Sequence, residues 1–269
     1  FLIKFIFREG FFMKLAKNKF THAVTAGEKQ VGLWVTLASS FVSEVTAHSG
    51  YDWAVIDMEH SPNDYFTVLG QLQAFNSSET TALVRPEWND PVIIKRLLDL
   101  GAPGFVFPMI ETVEEAKKAV SATRYPPRGV RGVSGSSRAT KFGRINDYMT
   151  KIEDEISVIL QIESAAAISR AVEIGSVDGV TGVFFGPSDI AADLGLLGQP
   201  MHKDVWALIK PVAQKLISKG IPVGTLVLDS DFAAELLNEG FTFVASAVDS
   251  DLLAKASDFA LNGVKEKLL

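Results

Sequence analysis

The clearest secondary-structure pattern of this chain lies in residues 81–109, TALVRPEWNDPVIIKRLLDLGAPGFVFPM. An apolar run, TALVR, is followed by the segment DPVIIKRLLDLG, in which apolar residues recur with the period of a helix, and then by a second apolar run, GFVFPM. Short, continuous apolar strands that are separated by helices are typical of parallel strands buried on both faces. The stretch therefore predicts one strand–helix–strand unit of an α/β fold.

The same alternation continues on both sides of this unit, from about residue 31 onward. Eight strand–helix units fit a closed (β/α)8 TIM barrel better than an open sheet. Since no linker or internal repeat interrupts the pattern, residues 13–269 are expected to form a single domain. The predicted strands are VGLWV (31–35), WAVID (53–57), TALVR (81–85), GFVFPM (104–109), SVILQI (157–162), GVFF (182–185), PVGTLV (222–227) and FTFVASA (241–247).

The first twelve residues, FLIKFIFREGFF, hold five of the 18 phenylalanines and directly precede Met13. Charged residues interrupt this run and no small-residue cleavage site follows, so it is not expected to be a secretory signal. We expect residues 1–12 to be an N-terminal extension that is not native; the alternative is an arm that docks on the body or on a neighbouring subunit. Elsewhere no apolar run approaches the length of a membrane span, which predicts a cytoplasmic protein without a membrane partner.

The composition of the chain narrows its chemistry. The 269 residues have a formal net charge of -6, no cysteine and four histidines. The absence of cysteine excludes disulfides, thiolate catalysis and cysteine-rich zinc sites, and four histidines leave little room for a multi-histidine metal cluster. The acidic balance argues against nucleic acid as the main partner, because nucleic acid needs a concentrated basic surface. The predicted strands contain no lysine, which disfavours a Schiff-base mechanism.

Polar residues lie at or just past the carboxyl ends of four of the predicted strands, where barrel enzymes carry their chemistry. Because the strands of a closed barrel end on one rim, these side chains are expected to converge there. Some have an ordinary structural interpretation as well: Glu163 and Asp189 are candidates for helix caps, and His60 for a structural histidine. The set is Asp57, Glu59, His60, Arg85, Gln161, Glu163, Ser188 and Asp189.

Taken together, these residue types indicate a metal-assisted reaction. Glu163 and Asp189, two convergent carboxylates without a rich histidine set, suit a hard divalent cation such as Mg²⁺ or Mn²⁺. His60, which follows Asp57 at a strand end, is a candidate general base. Arg85 is a fixed cation at the end of a core strand, and an anionic ligand or intermediate explains it better than a surface salt bridge does.

The longest irregular stretch, residues 123–144, lies between the fourth and fifth predicted strands. A loop of this length inside a compact barrel is usually functional. Its arginines form either a solvated face or a basic lid over an anionic substrate, and the solvated face is favoured for all of them except Arg131. These residues are Arg124, Arg128, Arg131, Arg138 and Arg144.

Six motifs of the chain resemble, in order, spacing and content, those of the HpcH/HpaI aldolases. They are VGLWVTLAS, DWAVIDMEHSPND, VRPEWNDPVIIKRLLDLGAPGFVFPMIET, RYPPRGVRGVSGSSRA, ILQIES and FFGPSDIAADLG, and the resemblance covers roughly residues 16–265. The family comprises metal-dependent (class II) pyruvate aldolases, which reversibly cleave 4-hydroxy-2-oxo acids to pyruvate and an aldehyde. The resemblance implies that activity here, with a divalent metal (Mg, Mn or Co), no organic cofactor, and a 2-oxo acid and an aldehyde as small-molecule partners.

The resemblance also implies roles for residues in the matching motifs. Glu163 of QIES and Asp189 of GPSD match the metal-binding carboxylates. Gln161 and Ser188, together with Asp189, fall where the family contacts the oxo-acid end of the substrate. The substrate's 2-oxo and carboxylate oxygens are then expected to chelate the metal. Backbone amides at the helix start are expected to add an anion site for the substrate carboxylate.

Four further residues match the catalytic positions of the family. His60 matches the base, which acts directly or through a metal-bound water, and Arg85 matches the residue that stabilises the enolate. Asp57 matches a further acidic residue near the base. Asp99 of LLDLGA matches an aspartate that raises the basicity of the histidine, in the family from a neighbouring subunit.

Family members are typically hexamers, trimers of dimers, whose barrels exchange the last helix, here about residues 249–267. The aldehyde specificity is expected to reside in the loops after the seventh and eighth strands. Two alternative functions stay open on the sequence: a CoA-ester lyase of the citrate-lyase β-subunit type, and a non-catalytic barrel that binds a 2-oxo acid.

Overall fold

Eight parallel strands close into a barrel in the computed structural model, which describes residues 13–268. Each strand pairs with the next along the chain, and β8 pairs with β1. The prediction of a (β/α)8 TIM barrel is confirmed, and every predicted strand begins and ends within two residues of the observed one. The proposed extension, residues 1–12, lies outside the described residues. The strands are β1 (Gln30–Val35), β2 (Trp53–Asp57), β3 (Thr81–Arg85), β4 (Gly104–Phe107), β5 (Ser157–Ile162), β6 (Gly182–Phe185), β7 (Val223–Leu226) and β8 (Phe243–Val248).

Helices alternate with the strands, and a side-chain cap holds the first turn of most of them. In α5, for example, the hydroxyl of Thr112 accepts from the backbone N–H of Glu115, and the Glu115 carboxylate accepts from the N–H of Thr112, which makes a capping box. The helices are α1 (Lys19–Thr25), α2 (Ser40–Ala47), α3 (Tyr65–Phe75), α4 (Pro91–Asp99), α5 (Val113–Thr123), α6 (Tyr148–Lys151), α7 (Ala165–Gly175), α8 (Pro187–Asp193), α9 (Lys203–Ser218), α10 (Ser230–Asn238) and α11 (Asp249–Lys265).

Side chains alternate between two separate cores along every strand, because successive residues of a strand point to opposite faces. On β2, Ala54 and Ile56 pack outward against the helices, whereas Trp53 and Val55 fill the barrel interior. Inward-pointing side chains of a TIM barrel stack in layers, so the interior is a packed core and not a pore. The last inward position on β2 is Asp57, at the carboxyl end of the strand.

Helix α1 closes the amino-terminal end of the barrel. Its Phe20 is fully buried and belongs to the interior core, with its ring centroid 5.3 Å from that of Trp53 and 5.4 Å from that of Phe243. Ring pairs at this spacing add about 0.5–1.5 kcal/mol beyond their buried area. The barrel axis is therefore filled with aromatic rings from below, and the polar strand ends lie at the opposite end.

The long irregular stretch does not lie over the strand carboxyl ends. It joins the end of α5 to the start of β5, which places residues 124–156 at the amino-terminal end of the barrel. There Arg131 is 1% exposed, stacks 4.4 Å from the ring centre of Tyr125 and donates to the hydroxyl of Tyr148 at 3.0 Å. A lid formed by Arg131 over the substrate of its own barrel is thus wrong, because this guanidinium is a buried structural group at the far end.

The expectation of a solvated face is also wrong for two other arginines of this stretch. Arg124 is buried and donates to the carbonyl of Glu153, and Arg138 donates to the carbonyl of Leu100 at 2.5 Å. The carbonyls that end helices and turns are strong acceptors, and a guanidinium can satisfy them from the side. These two arginines therefore stabilise a stretch of backbone that regular secondary structure does not stabilise.

The C-terminal helix α11 makes little contact with its own barrel. Of its residues only Asp249 is buried, while apolar side chains remain exposed along its length. The exposed apolar residues of α11 are Leu252, Leu253, Phe259, Leu261 and Val264.

Within residues 13–268, no helix is both long and apolar enough to cross a membrane.

Two glycines leave room for the large rings of the interior core. Gly32 of β1 lies against the indole of Trp53, and Gly224 of β7 lies against the ring of Phe243. A Cβ added at either position would overlap the neighbouring ring. Since interiors are packed as tightly as organic crystals, neither ring has space to move away.

We therefore expect Gly32→Ala to lower the free energy of unfolding by about 1–3 kcal/mol through overpacking. Urea unfolding followed by circular dichroism measures this change. Gly135→Ala is the matched control: Gly135 is exposed with no heavy atom within 4 Å of an added Cβ, so its effect should stay within about 0.5 kcal/mol. Equal stability of the two variants would contradict the role assigned to Gly32.

Candidate active site

Charged and polar side chains form the top layer of the barrel interior, in phase with the apolar layers below. Asp57 follows the inward-pointing Val55 by two residues, Arg85 follows Leu83, and Gln161 follows Ile159. Because a strand repeats every two residues, these three side chains must point to the barrel axis. Glu163, two residues beyond Gln161, continues the same phase just past the end of β5.

Arg85 and Asp57 form a buried ion pair on adjacent strands. Arg85 donates from Nε to Oδ1 of Asp57 at 2.8 Å and from Nη2 to Oδ2 at 2.7 Å, and the arginine is only 6% exposed. Burial disfavours ionisation of Asp57, but the hydrogen bonds and charge of Arg85 outweigh it and hold the pKa of Asp57 below its usual value. Arg85 is not a surface salt-bridge partner.

Two further side chains orient the arginine. Nη1 of Arg85 lies 2.8 Å from Oε2 of Glu59, and the guanidinium lies 4.9 Å from the ring centre of Trp34. The indole Nε1 of Trp34 also donates to Oδ2 of Asp57, at 3.3 Å. The guanidinium is therefore fixed by two carboxylates and one aromatic face, an arrangement that preorganises a cation for charge that develops on a ligand.

His60 lies on the turn that follows β2, on the solvent side of the ion pair. Its side chain is 68% exposed, and its Nε2 lies 4.0 Å from Oε1 of Glu59. The Asp57 carboxylate accepts from the backbone N–H of Glu59 at 3.0 Å, which ties the start of the turn to the ion pair. The structure thus brings His60 to the rim that carries Asp57 and Arg85.

Glu163 is a buried carboxylate at the centre of the rim. Its Oε1 accepts from Nε2 of Gln161 at 2.5 Å, and its Oε2 accepts from the backbone N–H of Met109 at 2.8 Å. Met109 has a φ of 52°, in the left-handed region that a non-glycine residue rarely adopts. Such backbone strain clusters at active sites, and here it aims an N–H at the carboxylate.

Asp189 and Ser188 lie in the first turn of α8, next to Glu163. Gly186 makes this approach possible, because a Cβ added to it would come within 2.9 Å of Oε1 of Glu163. The structure excludes both helix-cap interpretations: α8 is capped at Gly186, and α7 is capped by Ser164 and not by Glu163. Asp189 and Ser188 are both exposed at the barrel mouth.

The electrostatics of the rim fit a divalent cation. Burial, together with the charges of Glu59 and Asp189, raises the pKa of Glu163 to about 7, and burial also raises the pKa of Glu59. The charges of Asp57, Glu59 and Glu163 thus act on the guanidinium of Arg85, and a fourth carboxylate, that of Asp189, acts on Glu59 and Glu163. A divalent cation would relieve this excess of negative charge.

The available ligand atoms agree with that fit. Oε1 of Gln161 is buried and has no hydrogen-bond partner, which leaves a polar atom unsatisfied beside Glu163. Carboxylate and amide oxygens are ligands that hard cations accept. Among the described residues, no group of three or more histidine, cysteine, aspartate or glutamate side chains could hold a metal alone, so the fit rests on the pair Glu163 and Asp189.

Asp99 is the one predicted site residue that the structure does not bring to the rim. It ends α4 at the amino-terminal end of the barrel, and its carbonyl accepts from the N–H of Ala139 at 3.2 Å. Its Oδ1 is buried without a hydrogen-bond partner, and burial raises its pKa despite the nearby charge of Arg131. Within one chain, Asp99 therefore cannot contact His60.

Three contributors to the site carry little signal in the sequence. Glu59 belongs to a motif that the sequence singles out, but its contact with Arg85 depends on the turn after β2. Trp34 reads as an ordinary strand residue, although its inward phase on β1 places it below the ion pair. The backbone amide of Met109 has no side-chain signature at all.

This chain is similar to proteins of one family in both sequence and structure. The family model described as HpcH/HpaI aldolase/citrate lyase matches residues 30–256. A protein of Rhizobium etli named pyruvate aldolase is 47% identical over 246 residues, which cover 91% of this chain and 97% of that protein. A protein of Salmonella newport named 4-hydroxy-2-oxo-heptane-1,7-dioate aldolase is 45% identical over 255 residues, which cover 94% of this chain and 97% of that protein.

Among solved structures, an HpcH/HpaI aldolase/citrate lyase family protein from Burkholderia cenocepacia J2315 superposes with a TM-score of 0.89 and 36% sequence identity. The match covers 93% of this chain and 100% of that one. The resemblance carried by the sequence motifs is therefore confirmed over nearly the whole barrel. The chain belongs to the HpcH/HpaI aldolase/citrate lyase family.

Proposed function

We propose that this chain is a class II aldolase that uses a divalent metal to cleave a 4-hydroxy-2-oxo acid reversibly into pyruvate and an aldehyde. The observation that carries the proposal is the buried Arg85, whose positive charge acts on the carboxylate of Glu163, which in turn lies within the influence of the Asp189 carboxylate. A cation and an acidic pair held together in this way suit a substrate that becomes an enolate. The names of the two relatives support the same reaction.

Glu163 and Asp189 are the proposed metal ligands, with Gln161 beside them. When bound, a divalent cation supplies Lewis-acid stabilisation of the negative charge that develops on the 2-oxo oxygen. Mg²⁺, Mn²⁺ and Co²⁺ all accept oxygen ligands, and each is a candidate. That the enzyme needs no organic cofactor stays a prediction.

In the cleavage direction His60 is proposed to remove the proton from the 4-hydroxyl of the substrate. The C3–C4 bond then breaks, its electron pair passes to C3, and the aldehyde leaves from the enolate of pyruvate. Arg85 stabilises the enolate charge, and Asp57 keeps the guanidinium in position. A proton taken up at C3 completes pyruvate, so the proton lost from the hydroxyl is balanced.

The oxo-acid end of the substrate is proposed to contact Gln161, Ser188 and Asp189. Ser188 and Asp189 are exposed at the mouth, whereas Gln161 is buried on the floor. The aldehyde end would then face the loops after β7 and β8, the strands that come next to β6 in the barrel. Those loops would determine which aldehyde the enzyme accepts.

We propose that Asp99 acts on His60 of a neighbouring subunit within a hexamer, a trimer of dimers. Asp99 and His60 lie at opposite ends of one barrel, so a contact between them requires two chains. The exposed apolar residues of α11 support an exchange of this helix between subunits, because a face of this kind is normally covered in an assembly. A cytoplasmic location and the absence of a nucleic-acid partner stay predictions.

Pyruvate release tests the proposed reaction directly. With 4-hydroxy-2-oxo-heptane-1,7-dioate or a shorter 4-hydroxy-2-oxo acid, we expect pyruvate to form with Mg²⁺ or Mn²⁺ and formation to stop in EDTA. Lactate dehydrogenase and NADH report the pyruvate. Activity with a CoA thioester alone would favour a CoA-ester lyase, and binding of the oxo acid without turnover would favour a non-catalytic barrel; either result contradicts the proposal.

Arg85→Ala should lower kcat for this cleavage by about 10²–10³-fold, the usual effect of removing one preorganised electrostatic donor. Removal of the guanidinium also leaves Asp57 buried without its partner, so circular dichroism must show that the variant is folded. Arg85→Lys keeps the charge but loses the two-point contact with Asp57, and should retain part of the activity. Arg170→Ala, on the surface helix α7, is the control. Near-normal turnover of Arg85→Ala would exclude the role of Arg85.

The affinity for Mn²⁺ should rise with pH through neutrality. Burial raises the pKa of Glu163 to about 7 in the metal-free protein, and a metal must displace the proton from this carboxylate. At pH 6 most copies are protonated and at pH 8 most are ionised, so Kd should be about tenfold lower at pH 8. Isothermal titration calorimetry measures Kd, and Glu163→Gln should bind weakly without this dependence. A flat Kd between pH 6 and 8 would argue against Glu163 as a ligand.

A further inference from the structure

We propose that Asn63 and Gln71 are positioning residues that hold the turn bearing His60 in its working geometry. The proposal rests on the proposed aldolase function, in which His60 is the base. The turn spans residues 57–63, between the end of β2 and the start of α3. No motif or comparison gives these two amides a role in the reaction.

The position of the His60 imidazole depends on the backbone of this turn. Its side chain is 68% exposed, and the carboxylate of Glu59 lies at the limit of ion-pair distance, 4.0 Å from Nε2. A side chain that packs on so little of its own barrel is placed by the residues that carry it. A loss of order in the turn would therefore move the base.

Asn63 closes the turn with its side-chain amide. Nδ2 of Asn63 donates to the carbonyl of Asp57 at 2.6 Å and to the hydroxyl of Ser61 at 2.8 Å, and that hydroxyl donates to the same carbonyl. Asp57 holds the other side of the turn, because its carboxylate accepts from the N–H of Glu59. The backbone around His60 is thus fixed from the strand by Asp57 and from the helix side by Asn63.

Gln71 holds Asn63 in turn. It is fully buried on α3, and its Nε2 donates to Oδ1 of Asn63 at 2.5 Å while its Oε1 accepts from the hydroxyl of Ser43 on α2 at 3.2 Å. The hydroxyl of Thr67 donates to the same Oδ1 at 2.9 Å. A continuous chain of hydrogen bonds therefore runs from two surface helices to the carbonyl of Asp57.

The fold alone does not call for amides at these positions. An amide that is buried without partners costs about 1–3 kcal/mol, whereas an apolar residue of similar size packs without that penalty. Gln71 lies on α3 beside Val68 and Leu72, both in the apolar core. A satisfied amide network in apolar surroundings specifies one geometry for the groups that it joins, here the turn of His60.

The experiment compares kcat, KM, Mn²⁺ affinity and thermal midpoint for three variants of the full-length enzyme. Asn63→Leu removes every side-chain bond to the turn, Gln71→Leu removes its support, and Asn63→Asp keeps the acceptor for Gln71 but loses the donor to Asp57. We expect kcat to fall about 10- to 100-fold in both Asn63 variants and about 3- to 10-fold in Gln71→Leu, with Mn²⁺ affinity unchanged within twofold.

Asn18→Leu is the matched control. Asn18 is also a buried amide whose Nδ2 bonds two carbonyls and a hydroxyl, but it lies at the amino-terminal end of the barrel. The same substitution there should lower the thermal midpoint and leave kcat unchanged at a temperature where the protein is folded. If Asn63→Leu fails to fold, Gln71→Leu and Asn63→Asp still decide the question.

A double-variant cycle separates positioning of the base from a general structural role. If the network acts through His60, Asn63→Leu should add less than twofold to the loss that His60→Ala already causes. The inference is overturned if Asn63→Leu lowers kcat no more than Asn18→Leu does, or by the same factor with and without His60. Either result would contradict this inference without contradicting the proposed function, which is tested separately by pyruvate release from the wild-type enzyme.

Discussion

The arrangement of the barrel mouth depends on one buried ion pair, Arg85 with Asp57. The two formal charges lie in the polar top layer of the barrel interior, above an apolar core, and removal of either partner would leave the other buried without compensation, typically at about 3–5 kcal/mol. The two-point geometry leaves the guanidinium a single orientation relative to β2 and β3. Glu59 and Trp34 complete its surroundings, and the charge of Glu163, two strands away on the rim, also acts on it. The rim is thus arranged around a cation that cannot turn away.

Much of this arrangement could be predicted from the sequence, because a strand has the simplest of all repeats. Once TALVR and SVILQI are recognised as buried strands, the period of two puts Arg85 on the face of Leu83 and Gln161 on the face of Ile159, and polar groups at a strand's carboxyl end are expected at the barrel mouth. The closed barrel then brings strand ends that are distant in sequence onto one rim, and Glu163 meets Asp189 there. The pattern also predicts the strand boundaries closely, because each apolar run ends within two residues of the strand that it forms.

The rest depends on geometry that no local pattern encodes. The arginines of residues 123–144 look alike in sequence, yet Arg131 is buried among tyrosines because α5 delivers this stretch to the end of the barrel away from the site. The hydrogen bond from the backbone N–H of Met109 to Glu163 has no signature in the sequence either, because every residue except proline carries a backbone N–H. Asp99 shows the limit most clearly, because its motif matches a catalytic position while its place in a single chain is far from the histidine.

The aromatic plug at the amino-terminal end of the barrel has a kinetic consequence. Phe20, Trp53 and Phe243 fill the axis, so in the described part of the chain substrate and products share one opening. In the proposed reaction the pyruvate half lies on the inner side, against Glu163 and Arg85, and the aldehyde half lies toward the solvent. The aldehyde must then depart before pyruvate, and in the synthetic direction pyruvate must bind before the aldehyde. The filled barrel interior therefore imposes an order on the release of the two products and, in the synthetic direction, on the binding of the two substrates.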